Sequence, residues 1–244
     1  MPVPAKAFQH WLHGVAPAAS TAEICRISGV KRTTLAQQLV RGKVAETTVV
    51  SISRALGINP TEALSSFEAY AELTRLAQPP TAAELVSQVA TMDLLRAVIS
   101  RSAADHPDAA GTLRVLSPAP HATSVRNWVD SIDDGELRHR ISAATGVAPQ
   151  NYSAQLTANR LSPELAVATS RAAGVGFTGG LVATGLITEA EAGWRPGARQ
   201  AALEALSDGE LAVLAGDRLQ ALGRTLRRQE QEQAQAEKIW ENLG

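Results

Sequence analysis

Between residues 20 and 58 apolar positions recur at three- and four-residue spacing in short bursts, each closed by a glycine, so the segment predicts a run of short helices. Ser20 followed by Glu23 is a capping signature, in which the hydroxyl takes an orphan backbone N–H and the carboxylate reaches back. The helix it starts carries Ile24, Cys25 and Ile27 inward and stops at Gly29, which is free to take a left-handed turn. Val30 anchors that turn. A second helix runs from Lys31 through Leu35 and Leu39 to Gly42. A third begins near Glu46 or Thr47, repeats Val49, Val50, Ile52 and Leu56 at helical spacing, and ends at Gly57. Asn59 caps a fourth, with Pro60 in its first turn.

The pattern then returns. Residues 11 to 64 align without a gap on residues 128 to 181 at a constant offset of 117. The matches include Trp11/Trp128, Ile24/Ile141, Gly29/Gly146, Val30/Val147, Gln38/Gln155, Leu39/Leu156, Val50/Val167, Ser53/Ser170, Arg54/Arg171, Ala55/Ala172, Gly57/Gly174 and Leu64/Leu181. They fall at helix cores and turn glycines, so the folding unit is a helical module of about 60 residues used twice. In the second copy Asp133 and Glu136 stand for the capping pair. More helix follows each module. Thr81 and Glu84 cap a segment bearing Leu85, Val86, Val89, Leu94, Leu95, Val98 and Ile99, while Ser207 and Glu210 cap one bearing Leu211, Leu214, Leu219, Leu222 and Leu226. Such stripes require something to pack on. Residues 103 to 120 read as an extended linker. Arg224 to Gly244 reads as a helix exposed on most sides, anchored by Ile239 and Trp240.

Composition adds bounds. The 244 residues, 45 % hydrophobic and 19 % charged, suit two small domains, and a net charge of -1 gives no global field for nucleic acid or membrane. Cys25 is alone, which excludes an intramolecular disulfide and a cysteine zinc cluster and points to a reducing compartment. Met1-Pro2-Val3-Pro4 lacks the charged and apolar blocks of a signal peptide, and no apolar run approaches the length of about 18 residues needed to span a bilayer. The expectation is a soluble intracellular protein that does not engage the membrane.

Charge is concentrated locally. From Arg26 to Arg54 the basic residues are 26, 31, 32, 41, 43 and 54 against the single acid Glu46, a net of +5. Two short helices joined by a tight glycine turn form a helix-turn-helix, whose second helix enters a major groove. Here that helix presents Lys31, Arg32, Thr33, Thr34, Gln37, Gln38 and Arg41, followed by Lys43. Arg pairs with guanine, Gln with adenine, and a Thr methyl touches thymine. In the second module the matching face begins Ala148-Pro149-Gln150-Asn151, and residues 143 to 171 carry a net of only +1. Gln150, Asn151 and Gln155 remain candidates for adenine and Arg160 for phosphate, against the alternative that this copy is purely structural.

The run from Ser20 to Leu35, with Arg41-Gly42-Lys43 and Ser53-Arg54-Ala55-Leu56-Gly57-Ile58-Asn59-Pro60, resembles the lambda-repressor-like (Cro/repressor, XRE) helix-turn-helix family over about residues 8 to 68. The resemblance implies that Arg32, Thr33, Thr34 and Gln37 read base edges and that Arg41 and Lys43 meet phosphate. Leu186-Ile187-Thr188-Glu189-Ala190-Glu191 resembles sequences that follow such modules in immunity repressors of temperate actinobacteriophages.

Other patterns carry less. Gly174-Val175-Gly176-Phe177-Thr178-Gly179 fits a bare dinucleotide-binding spacing, but such a loop must leave a β-strand, and these glycines leave a helix; no cofactor is expected. His10 and His13 share a helix face without a further ligand, so no metal is expected either. The lysines are Lys6, Lys31, Lys43 and Lys238, and none forms a Ser-Lys self-cleavage dyad behind the first module. No enzymatic activity is expected.

The sequence therefore predicts an all-α chain with two tandem helix-turn-helix domains. The divisions are an N-terminal DNA-binding domain over 1–76, a helical linker over 77–118, a second module over 119–192 and C-terminal helices over 193–244. The expected partner is a double-stranded operator, bound by a monomer on an asymmetric site or by a homodimer formed through the C-terminal helix. The rival expectation is a helical interaction protein or antitoxin-like adaptor that uses the 81–101 and 207–228 stripes and no DNA.

Overall fold

The chain is mostly helical. The computed structural model describes residues 2–75, 78–102 and 115–241, with side chains through residue 235, and among these it has fifteen α-helices and one two-stranded antiparallel pair. In chain order these are β1 (Val3–Pro4), α1 (Ala5–Val15), α2 (Thr21–Ser28), α3 (Arg32–Val40), β2 (Lys43–Val44), α4 (Glu46–Ala55), α5 (Pro60–Ser65), α6 (Glu72–Arg75), α7 (Ala82–Ser87) and α8 (Thr91–Ser102). Then come α9 (Ser124–Ile132), α10 (Leu137–Thr145), α11 (Pro149–Thr157), α12 (Pro163–Ala173), α13 (Thr178–Ala183), α14 (Ala198–Glu204) and α15 (Asp208–Glu241). A 3₁₀ turn at Glu68–Tyr70 joins α5 to α6.

The repeat is present at the level of helices. At the offset of 117, α3 and α11 coincide residue for residue, and α1, α2, α4 and α5 match α9, α10, α12 and α13 to within two residues at either end. Two compact units divide the chain, one made of Met1–Gln88 and Pro118–Arg199, the other of Val89–Ser117 and Gln200–Gly244. Both modules lie in the first unit. The segment 77–118, read from sequence as a linker, is shared between the units, and the part of the extended stretch over 103–114 lies outside the described residues.

In the first unit, Trp11, Ile24, Leu35, Val49, Ile52 and Leu64 belong to the same buried cluster as Trp128, Ile141, Tyr152, Leu165 and Leu181. The two modules thus share one core rather than two. Trp128 is fully buried, and its indole N–H donates to Glu84 Oε1 at 3.1 Å. Glu84 also closes a capping box with Thr81 at the start of α7, so this buried carboxylate accepts from one backbone and two side-chain donors. Space for the arrangement comes from α13: a Cβ on Gly180 would stand 2.6 Å from Trp128 Cη2, and one on Gly179 would strike the Glu84 carboxylate. The glycine cluster that mimics a nucleotide loop is therefore a packing surface, with Gly174 closing α12 at φ +70°.

The second unit is a helical pair of α8 and α15 with its own core of Val89, Leu94, Leu203, Leu211 and Ala215. Ser207 and Glu210 cap α15 reciprocally, at 3.3 and 2.8 Å. Arg101 satisfies the last carbonyls around α14, donating to Leu203, Glu204 and Leu206. Burial penalises the Asp93 carboxylate, but donors from Ser117 and Arg96 outweigh it and hold its pKa below the usual range.

Several sequence expectations are corrected. Ile27 is 41 % exposed, because α2 shows only the Ile24 and Cys25 side to the core. Asp133 and Glu136 do not form a capping pair: α10 starts later, at Leu137, and the Asp133 carboxylate instead accepts from Gly135 N. The stripe after Thr81 is not one helix, since Gln88 to Ala90 break it into α7 and α8 and send the halves to different units. On α15 only the first part of the stripe is covered. Leu219, Leu222 and Leu226 remain 49, 38 and 47 % exposed. Residues 231–235 are exposed, in accord with the solvated terminal helix, while the side chains of Ile239 and Trp240 lie outside the described residues.

Candidate nucleic-acid interface

The exposed face of α3 starts at a turn built twice in the same way. Gly29 ends α2 at φ +72° and Gly146 ends α10 at φ +71°, where no neighbour lies within 4 Å of a Cβ. The requirement is therefore for the backbone conformation and not for space. Ser28 Oγ donates to Ile24 O at 2.6 Å and accepts from Val30 N at 3.4 Å; at the corresponding position Thr145 Oγ1 donates to Ile141 O at 2.8 Å and accepts from Val147 N at 3.3 Å. This hydroxyl bridge pins the turn against its helix, and the Ser28/Thr145 correspondence passed unnoticed in the sequence.

From that turn α3 is held by little of its own surface. Leu35 is its one fully buried residue, and Lys31, Arg32, Thr33, Thr34, Gln37, Arg41 and Lys43 are all exposed. Lys31 is the N-cap residue and makes no side-chain cap, which leaves its ammonium and the first turn of α3 open. None of Lys31, Arg32, Arg41 and Lys43 is in an ion pair among the described residues. Gln38 is different. It is half-buried and its Oε1 accepts from Ala45 N at 3.3 Å, so it ties the end of α3 to the N-cap of α4 instead of facing outward. Ala5 N donates to Gly42 O, and Val3 pairs with Val44, so that the chain start braces the same end.

The matching face of α11 is exposed at Gln150, Asn151 and Arg160 and half-buried at Gln155. Its anchor is heavier, with Tyr152 and Leu156 both buried. Burial pushes the Tyr152 phenol up to about 12, and its hydroxyl shares a hydrogen bond with Thr169 Oγ1 at 2.9 Å. At the corner where module one has Gly42 at φ +73°, module two has Asn159 at φ +49°, a non-glycine type that tolerates this region. Asn159 Oδ1 accepts from Val125 N and Nδ2 donates to His121 O, which replaces the strand pairing of module one.

Electrostatics separate the two faces further. Around module two the arginines are matched by acids: Arg126 with Asp130, Arg138 with Asp133, and Arg140 with Asp134 at 2.9 Å. The hydrogen bond from Arg140 holds the Asp134 carboxyl below its ordinary range. Arg160 remains outside these pairs.

Arg54 does not belong to the cationic face. Its guanidinium meets Glu191 in a two-toothed pair, Nε to Oε1 at 2.6 Å and Nη2 to Oε2 at 2.7 Å, and adds a bond to Leu186 O. The Glu191 hydrogen bond raises the Arg54 pKa, and the same bond lowers that of Glu191. Arg26 approaches Glu23 at 3.9 Å. Between Arg26 and Arg54 the cations outside ion pairs among the described residues are thus Lys31, Arg32, Arg41 and Lys43. Glu191 is also the return arm of a capping box with Thr188, and its backbone carbonyl accepts from Thr61 Oγ1 at 2.7 Å. The Leu186 to Glu191 segment therefore fastens the second module to the first.

Among the described residues no group of three or more His, Cys, Asp and Glu side chains is placed to hold a metal ion, and no helix is long and apolar enough to cross a membrane. Comparison with models of protein families, with curated proteins and with solved structures finds no match to this chain.

Proposed function

We propose that this chain is a sequence-specific double-stranded-DNA-binding repressor of the helix-turn-helix kind, acting in the bacterial cytoplasm as the immunity repressor of a temperate phage. One observation carries the reading: Arg32 on α3, Lys31 and Arg41 at its two ends and Lys43 on β2 are four cations in no ion pair among the described residues, set beside Thr33, Thr34 and Gln37 behind a pinned glycine turn, on a helix that commits only Leu35 fully to the core. Arg32, Thr33, Thr34 and Gln37 read base edges, and Lys31, Arg41 and Lys43 hold phosphate. Module two, with Gln150, Asn151, Gln155 and Arg160, supplies a second and weaker contact, so that one chain occupies an asymmetric site. Repression is steric, through occupancy of an operator. No catalytic step or cofactor enters.

The experiment is a titration of the full chain against a mixed-sequence duplex at two salt concentrations. A nucleic-acid binder loses affinity steeply as salt rises. The exposed Leu219, Leu222 and Leu226 row on α15 favours a second reading, a helical adaptor for another protein. Duplex binding that is absent at low salt would select that reading over the first.

A further inference from the structure

Each module grips the segment that follows the other. Arg54, at the end of α4, pairs with Glu191 beyond module two; Arg171, at the corresponding place in α12, pairs with Glu72 on α6, beyond module one. The two arginines are equivalent at the repeat offset, and Glu191 corresponds to Thr74, one of the four residues of the helix that carries Glu72. The grip is reciprocal between segments and not residue for residue, since Glu189, the equivalent of Glu72, pairs with Arg199; a segment-for-segment exchange of this kind is what an isologous contact produces. A head-to-tail pair of modules would make one such contact and leave the other arginine facing nothing. Arg171 is further seated over the Phe177 ring at 5.6 Å, and the buried cluster runs through both modules without a break.

We propose that the two modules form a dimer built into one chain, related by a local two-fold axis, and that they present α3 and α11 to DNA as two unlike half-sites in inverted orientation at a fixed spacing. This rests on the DNA-binding reading above. The inversion follows from the axis, because two-fold related recognition helices run oppositely along the duplex, whereas translated ones would read a direct repeat. The spacing follows from the core that the two modules share. The asymmetry follows from the faces, Lys31-Arg32-Thr33-Thr34 against Ala148-Pro149-Gln150-Asn151.

The test equalises the faces. The full chain carrying Ala148→Lys, Pro149→Arg, Gln150→Thr, Asn151→Thr and Ala154→Gln, checked for parental melting, is used beside the parent to select duplexes from a randomised pool. The parent is expected to enrich a two-part asymmetric site and the variant a palindrome. A direct repeat, or a single half-site, recovered with the variant would overturn the inference and leave DNA binding intact. Enrichment of no duplex by the parent would overturn the DNA reading and this inference with it. A second arm does not depend on that variant folding. Half a helical turn of DNA inserted between the parts of the parent site is expected to cost the parent about 100-fold in affinity, the gain that a second tethered contact supplies. Unchanged parental affinity after the insertion would also refute the fixed spacing.

Discussion

The salt dependence of binding can be worked from the ion pairs. Counting residues along the chain gives six cations between Arg26 and Arg54, yet Arg54 is neutralised by Glu191 and Arg26 faces Glu23. Lys31, Arg32, Arg41 and Lys43 remain. Each phosphate neutralised contributes about -0.9 to the slope of log affinity against log salt, so these four account for a slope of about -3.6, extended to about -4.5 if Arg160 of module two also engages. Arg41→Ala and Lys43→Ala should each flatten the slope by about 0.9 and weaken all duplexes alike. Arg32→Ala should instead cost about 1–3 kcal/mol on the selected site and relax preference at one position. Arg54→Gln should leave the slope unchanged. Fluorescence anisotropy of a labelled duplex across a salt series measures all five proteins. A slope unaffected by Arg41→Ala and Lys43→Ala, or one flattened by Arg54→Gln, would refute the division of cations drawn from the structure.

Three further outcomes are expected. Gly180→Ala places a methyl against the buried Trp128 ring and should destabilise by about 1–3 kcal/mol even after the helix-propensity gain, whereas Gly223→Ala, with nothing within 4 Å, should stabilise by about 0.5–1 kcal/mol; urea melts that rank the two the other way would contradict the packing. Gly29→Val forces a β-branched residue into φ +72° and should lower melting temperature and duplex affinity together, so a normally melting protein would contradict the turn. Glu191 has a depressed pKa when folded, so its stabilisation is complete above the unfolded value of about 4.3 and is lost as pH falls from there through the folded value. The parent should therefore exceed Glu191→Gln in stability at pH 7, by about 1 kcal/mol or less because Arg54 is 43 % exposed, and the difference should close in acid. A difference that persists or widens below pH 3 would assign the effect elsewhere.

Local rules were legible wherever the chain needed only its neighbours. The Gly29 exit, the Asn59 cap with Pro60 behind it, and the Thr81 and Ser207 capping boxes depend on contacts within four residues, and each lies where the sequence puts it. The Asp133/Glu136 cap is a local exception, since it did not form; the failures at the site depended on distant partners. Arg54 looks like part of a basic patch until Glu191 is brought beside it from 137 positions away. The repeat did carry a signal: Arg54/Arg171 is an identity in two modules whose reading faces have otherwise diverged, and a residue kept in both copies serves what both copies share. The shared requirement is the clamp. Gln38/Gln155 is the converse case, since the same side chain ties down the start of α4 in one copy and makes no such bond among the described residues in the other. The Gly179-Gly180 pair could not be read at all without knowing that Trp128 and Glu84 lie against it.

Trp11 and Trp128 occupy equivalent places, but only the second is sealed by glycine. The residue equivalent to Gly180 in the first module is Ala63, and the one equivalent to Gly179 is Glu62. Transplanting residues 60–65 onto 177–182 would drive a methyl into the Trp128 ring and a second carboxylate against Glu84, two faults in a place sealed from water. The copies have ceased to be interchangeable parts. Recombination between them, the ordinary hazard of a duplicated gene, would yield chains that fail to pack, and so the same contact that closes the core also keeps the two halves of the sequence apart.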